Sequence, residues 1–231
     1  MPFAAEYIFA GGISILAGLD RTAAMQFMVS RPIVAAPAVG LVLGDPWIGL
    51  QGGILIELLW LGRLPVGSAI PPDDTQIAVG GTALAIIMGR WTGIPGLPMI
   101  LLCLLVTMPL GKVGQVFDRL ARKGNGMLLE KAENAVLRGR LSAADHWHRL
   151  GIVLFAAASL ATYLVIVSAG TVAVLHLTPY LMPLISEASP WVRLAFPLVG
   201  VAMIISTINL SRSIVLFGIS FLTVFLFLWC R

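Results

Sequence analysis

The run PIVAAPAVGLVLGDPWIGLQGGILIELLWL, residues 32–61, decides the fold class. It carries only two ionisable side chains, Asp45 and Glu57. A membrane-spanning helix needs about 20 mostly apolar residues, so this run is longer than one span requires. Its middle, Gly44-Asp45-Pro46, cannot continue a helix smoothly. Proline fixes its own φ and pushes the preceding residue away from the helical region. The run therefore reads as a helix, a break, and a second helix that carries Glu57 inside apolar sequence. No water-soluble fold of this size has the interior volume to hide many such runs.

The rest of the chain agrees. Hydrophobic residues make up 58% of its 231 residues and charged residues 11%, against roughly a quarter charged in soluble domains. The mean hydropathy is +0.96. The expected class is an all-α integral membrane protein, a multi-pass helical bundle with broken or re-entrant helices, compatible with inverted repeats. The net charge of +4 does not indicate nucleic-acid binding, because the basic residues are not interleaved with aromatics on a polar face. Cys103 and Cys230 lie in or beside apolar runs, with no spacing that suits a disulfide framework or a zinc site. The stretch Pro2–Leu19 opens without a basic region and carries Glu6, so it reads as mature protein.

Working outward, Phe3–Leu19 is a Gly-rich span that ends at Asp20-Arg21. The segment 62–76 is a polar loop rich in Pro and Gly. Ile77–Met88 is apolar but short, which suits a re-entrant or half-spanning segment. Leu97–Leu110 is apolar again. From Lys112 to Arg149 the character changes: Lys112, Arg119, Arg122, Lys123, Lys131, Arg138, Arg140 and Arg149 are eight of the 15 Lys and Arg. The spacing of Leu128, Ala132, Ala135 and Val136 suggests an amphipathic surface helix. Its cationic excess predicts a cytoplasmic location. Gly151–Leu177 reads as a span, 178–190 as a Pro-punctuated loop, and Trp191–Leu210 and Ser213–Trp229 as the last spans. Three parts follow: a membrane bundle over 1–111, a basic cytoplasmic segment over 112–149, and membrane helices over 150–231.

Ionisable groups at membrane depth are costly and usually face a protein interior or a water-filled path. Glu57, with no charge within five residues, is either a ligand for a polar substrate or a carboxylate bonded to Arg63 or to backbone amides of a broken helix. Asp45 reads as a cap for the helix that follows it. Asp73-Asp74-Thr75-Gln76 is the densest polar cluster beside apolar sequence. One of its carboxylates caps the next helix, and the irregular Pro-Pro-Asp-Asp backbone can also line a site. Asn209 lies within a span, where interhelical hydrogen bonding and a substrate contact both remain open. His146 and His148 fall in the basic segment and His176 near a span end. Nucleophile and phosphate-binding motifs are missing. The substrate-binding candidates are Glu57, Asp73, Asp74, Gln76 and Asn209. No catalytic residue, metal or cofactor is expected.

Several stretches together resemble a known family. These are Gly18-Leu19-Asp20-Arg21, Ser30-Arg31-Pro32, Gly40-Leu41-Val42-Leu43-Gly44-Asp45, Gly52-Gly53 to Glu57, and Val66-Gly67-Ser68-Ala69-Ile70-Pro71-Pro72-Asp73. They look like the IIC subunit of the mannose/fructose/sorbose-type sugar phosphotransferase system (PTS). Lys131-Ala132-Glu133-Asn134 to His148, and Gly200-Val201-Ala202-Met203, agree more loosely. The resemblance implies a non-catalytic permease subunit in the inner (cytoplasmic) membrane that partners a IID membrane subunit. Phosphate then comes from the soluble IIA and IIB carriers to a hexose. Glu57 and Asp73 match the family's polar positions. Asp74, Gln76 and Asn209 rest on the residues alone. An ion-coupled secondary transporter would need buried carboxylates too, but no partner subunits. A membrane hydrolase would need a nucleophile or a metal.

Overall fold

The computed structural model describes residues 3–24, 26–61, 70–207 and 213–229. Eight helices and no strand occur among them: α1 (Phe3–Thr22), α2 (Pro32–Val42), α3 (Pro46–Trp60), α4 (Asp74–Thr92), α5 (Leu97–Leu110), α6 (Lys112–Leu137), α7 (Leu141–Thr207) and α8 (Ser213–Trp229).

The run that opened the sequence folds as a tight hairpin, α2 and α3. Gly44 takes the left-handed φ of +78° at the turn, where a side chain would be strained. Asp45 caps α3 by accepting from the Ile48 N–H at 3.1 Å, with Pro46 at the first helical position. Glycine lets the two backbones touch. A Cβ at Gly49 would lie 2.6 Å from the Ala36 carbonyl oxygen, and one at Gly53 would lie 2.6 Å from that of Pro32. Small residues at such contacts are how helices approach closely in lipid. The arms, 11 and 15 residues long, reach about 16 and 22 Å. Each is short of the hydrocarbon thickness, as a broken span should be.

The short segment expected at Ile77–Met88 is a longer helix. α4 has 19 residues, and every residue from Thr75 to Gly89 is buried. The polar residues that made it look short are satisfied inside the bundle. Gln76 Oε1 accepts from the Ser14 hydroxyl at 2.7 Å, and its amide donates to the Ser14 carbonyl at 3.1 Å. Arg90, near the other end, donates to Glu6 at 3.1 Å and to the Leu43 carbonyl. α1 runs antiparallel to α4 and is tied to it at both ends, by Glu6–Arg90 at one and Arg21–Asp73 at the other.

α7 contains Pro179, Pro183, Pro190 and Pro197. The loop expected over 178–190 is helical, which corrects the sequence reading. The helix nevertheless has two limbs that run in opposite directions. The first limb runs parallel to α4, with Ile166 against Gly80 and Leu84 against Gly170. It is antiparallel to α1, where Tyr163 donates to the Tyr7 carbonyl at 2.8 Å. Yet Gly200 lies against Leu58, two residues from Trp60, which shares a cavity wall with Thr162. A straight helix would put 162 and 200 about 57 Å apart. The helix therefore bends back on itself, and the prolines, which remove intrahelical bonds and kink helices, lie in the stretch that turns. α5 and α6 meet at Gly111 with a bend of 42°. One core holds residues of α1 to α5 together with Tyr163, Val167, Val174 and Met182 of α7.

Candidate functional site

The end of the bundle that holds Arg21 and Asp73 encloses a cavity of about 590 Å³, within the usual range for small-ligand sites. Its walls come from the end of α1, the 23–31 connection, the start of α4, α6 and the first limb of α7. Arg21, Arg31, Asp73 and Asp74 are delivered there by element termini. Arg21 is in the last turn of α1 and bridges two carboxylates, Asp73 and Asp74, the second at 3.1 Å. Asp73 caps α4, its Oδ1 accepting from the Gln76 N–H at 3.0 Å. Its own N–H donates to the Gly111 carbonyl at 3.1 Å, which fixes it to the α5–α6 bend. A Cβ at Gly114 would lie 2.7 Å from Asp73 Cβ, so glycine there lets α6 come close. Asp118 and Arg122, one turn apart on α6 and paired at 2.8 Å, complete the charged wall. Ser30, Thr75, Ser159 and Thr162 add hydroxyls.

Of the sequence candidates, Asp73 and Asp74 line this cavity. Glu57 stands beside it, pairing with the cavity residue Arg31 and accepting from the Ile33 N–H at 3.3 Å. Gln76 lies one turn into α4, 0% exposed, with its amide spent on Ser14. Asn209 lies outside the described residues, as do Arg63 and the loop from Gly62 to Ala69. Arg21, Arg31, Asp118 and Arg122 were not singled out from the sequence. The signal was faint: Arg21 closes an apolar run and Arg31 opens one. Asp20, beside Arg21, is 3% exposed. It accepts from the Phe27 and Ser30 N–H groups at 2.7 and 2.9 Å, which shapes the connection that brings Arg31 to the site. Among the described residues no three metal-ligating side chains converge.

The arrangement suits recognition of a polar, hydroxyl-bearing solute. Arginine and carboxylate side chains face one interior, and no hydrogen bond reaches Oδ2 of Asp73 or Asp74 among the described residues.

Comparison with known proteins places the chain. The family described as the PTS system sorbose-specific IIC component matches residues 4–228. A putative N-acetylgalactosamine permease IIC component 2 of Escherichia coli (strain K12) is 43% identical over 79 residues, 34% of this chain and 59% of that protein. The PTS system mannose-specific EIIC component of the same strain is 27% identical over 199 residues, 86% of this chain and 72% of that protein. Two solved structures share the fold. One, titled as the structure of a membrane protein, has a TM-score of 0.67 at 24% identity and covers 95% of this chain and 86% of its own. The other, the mannose transporter ManYZ in complex with microcin E492, has a TM-score of 0.59 at 23% identity and covers 96% and 86%. The chain belongs to the family of sorbose-specific IIC components of the sugar phosphotransferase system.

Proposed function

We propose that this chain forms, with a IID subunit in the inner membrane, the path by which a hexose enters the cell and is phosphorylated by IIB. One observation carries the reading: a cavity of about 590 Å³ walled by Asp73, Asp74 and Arg21, with carboxylate Oδ2 atoms that accept no hydrogen bond among the described residues. Sugar hydroxyls donate well to such oxygens, and a site built to bond a hydroxyl rejects solutes that leave it unpaired. Asp73 and Asp74 are the direct contacts in this reading. Glu57 acts through Arg31, Gln76 holds the start of α4 from behind, and Asn209 is kept as a contact on its sequence context alone.

The basic segment 112–149 lies on the cytoplasmic side in this proposal, between the membrane parts 1–111 and 150–231. α6 walls the cavity, so the cavity opens toward the side where a phosphorylated IIB waits. The phosphoryl group passes from a His of IIB to a sugar hydroxyl, and this chain supplies position rather than a nucleophile. Relatives named for mannose and N-acetylgalactosamine favour a hexose or its amino derivative. Isothermal titration of the purified IIC–IID complex tests the contact. Asp74→Asn, which touches no helix cap, should weaken hexose binding by about 1.5–3 kcal/mol, the worth of a hydrogen bond to a charged group. Unchanged affinity would remove Asp74 from the site.

A further inference from the structure

α6 has two apolar faces, and only one is used inside the protein. Gly114, Ala121 and Ala135 are buried, and this side packs along α7. Val116, Leu120 and Met127 are 53%, 59% and 56% exposed. At about 100° per residue these three fall within about 40° of one another on the helix, turned well away from the buried face. Lys112, Arg119 and Lys123 project within about 60° of the same stripe. All three are exposed, and none forms an ion pair among the described residues. The remaining exposed apolar residues of α6, Leu129, Val136 and Leu137, lie toward the far end and off this stripe. The helix leaves the apolar α5 at 42°, so it departs from the direction of the span that precedes it.

We infer that this second face of α6 lies in the surface of an anionic bilayer leaflet. Val116, Leu120 and Met127 would dip into the acyl boundary, with Lys112, Arg119 and Lys123 among the lipid phosphates. Charge decides the occupant. An apolar stripe edged by unpaired cations is the pattern of helices that lie in the interface, and basic residues next to a span are drawn to anionic headgroups. A protein partner would meet three uncompensated cations beside a narrow apolar strip. The consequence reaches the cavity. Asp118 and Arg122 on the same helix wall it, so lipid charge holds one wall of the site in place.

The test uses the full chain in liposomes, with Cys230 replaced and the buried Cys103 kept. Nitroxide labels are placed singly at Leu120→Cys and Met127→Cys, and at Glu133→Cys on another side of α6 as a control. Collisional relaxation by oxygen and by a water-soluble nickel complex reads immersion. In phosphatidylcholine containing phosphatidylglycerol, the oxygen-to-nickel ratio at 120 and 127 should exceed that at 133 several-fold. Lys112→Gln/Arg119→Gln/Lys123→Gln should lower the ratio toward that of the control. Ratios equal to the control in both phosphatidylcholine alone and the anionic mixture would overturn the inference. So would protection that appears only when IID is added, because that assigns the stripe to a protein.

Discussion

Asp73 holds three elements together. Its side chain caps α4 and pairs with Arg21 of α1, while its N–H bonds the Gly111 carbonyl at the α5–α6 bend. Asn is as good a cap as Asp, so Asp73→Asn should keep the start of α4 and lose only the ionic contact. Arg21→Gln is different, because it leaves two adjacent carboxylates without their cation. Breaking a largely buried pair from one side costs about 3–5 kcal/mol, and partial exposure of this pair places the expected loss at the low end. Thermal unfolding in detergent should rank Arg21→Gln well below Asp73→Asn, with Arg21→Gln/Asp73→Asn recovering part of the loss. Equal melting points for the two single variants would show that the pair carries no structural load. The cap by Asp45, and a cap by one of Asp73 and Asp74, were legible in sequence, because a cap is a local signal; the structure assigns the second to Asp73. The partners Arg21 and Arg31 were not. They lie 52 and 26 residues from the carboxylates they meet, and no periodicity encodes such a meeting.

Among the elements, the α2–α3 hairpin was the most legible, because Gly44-Asp45-Pro46 breaks the helix through backbone chemistry alone. Its packing rests on glycines. A Cβ at Gly49 would meet Ala36 and Pro37 backbone atoms at 2.6 and 2.9 Å, and backbone cannot rotate aside as a side chain can. Gly49→Ala should therefore cost about 1–3 kcal/mol, the usual cost of overpacking. Gly12→Ala, with nothing within 4 Å of the added carbon, should be neutral or slightly stabilising in the isolated chain. Matching losses of folded yield for the two variants would contradict the hairpin contact. α4 and α7 were less legible for opposite reasons. The polar ends of α4 look like loop until Ser14 and Glu6 are seen to satisfy Gln76 and Arg90. The prolines of α7 look like a loop, although helical bonding carries on through them while the chain reverses.

At the scale of the whole molecule, the bundle has two unlike ends. One carries the Glu6–Arg90 pair, the other the cavity and α6. The proposed topology puts the second end in the cytoplasm. A cysteine at Glu133, exposed on α6, should resist a membrane-impermeant thiol reagent in intact cells and label in inverted vesicles. Labelling from outside would reverse the orientation and separate the cavity from IIB. The membrane class was legible because composition is a property of the whole chain. The partnership was not legible from composition, since no charge or period names a second subunit, and it rests on family resemblance. The most direct measurement is uptake of labelled hexose by cells that lack the chromosomal partner genes. The chain alone should give no uptake, and co-expression with IID and the soluble carriers should restore it, with the label recovered inside as sugar phosphate. Uncoupler-sensitive accumulation of unmodified hexose in vesicles containing only this chain would contradict the account.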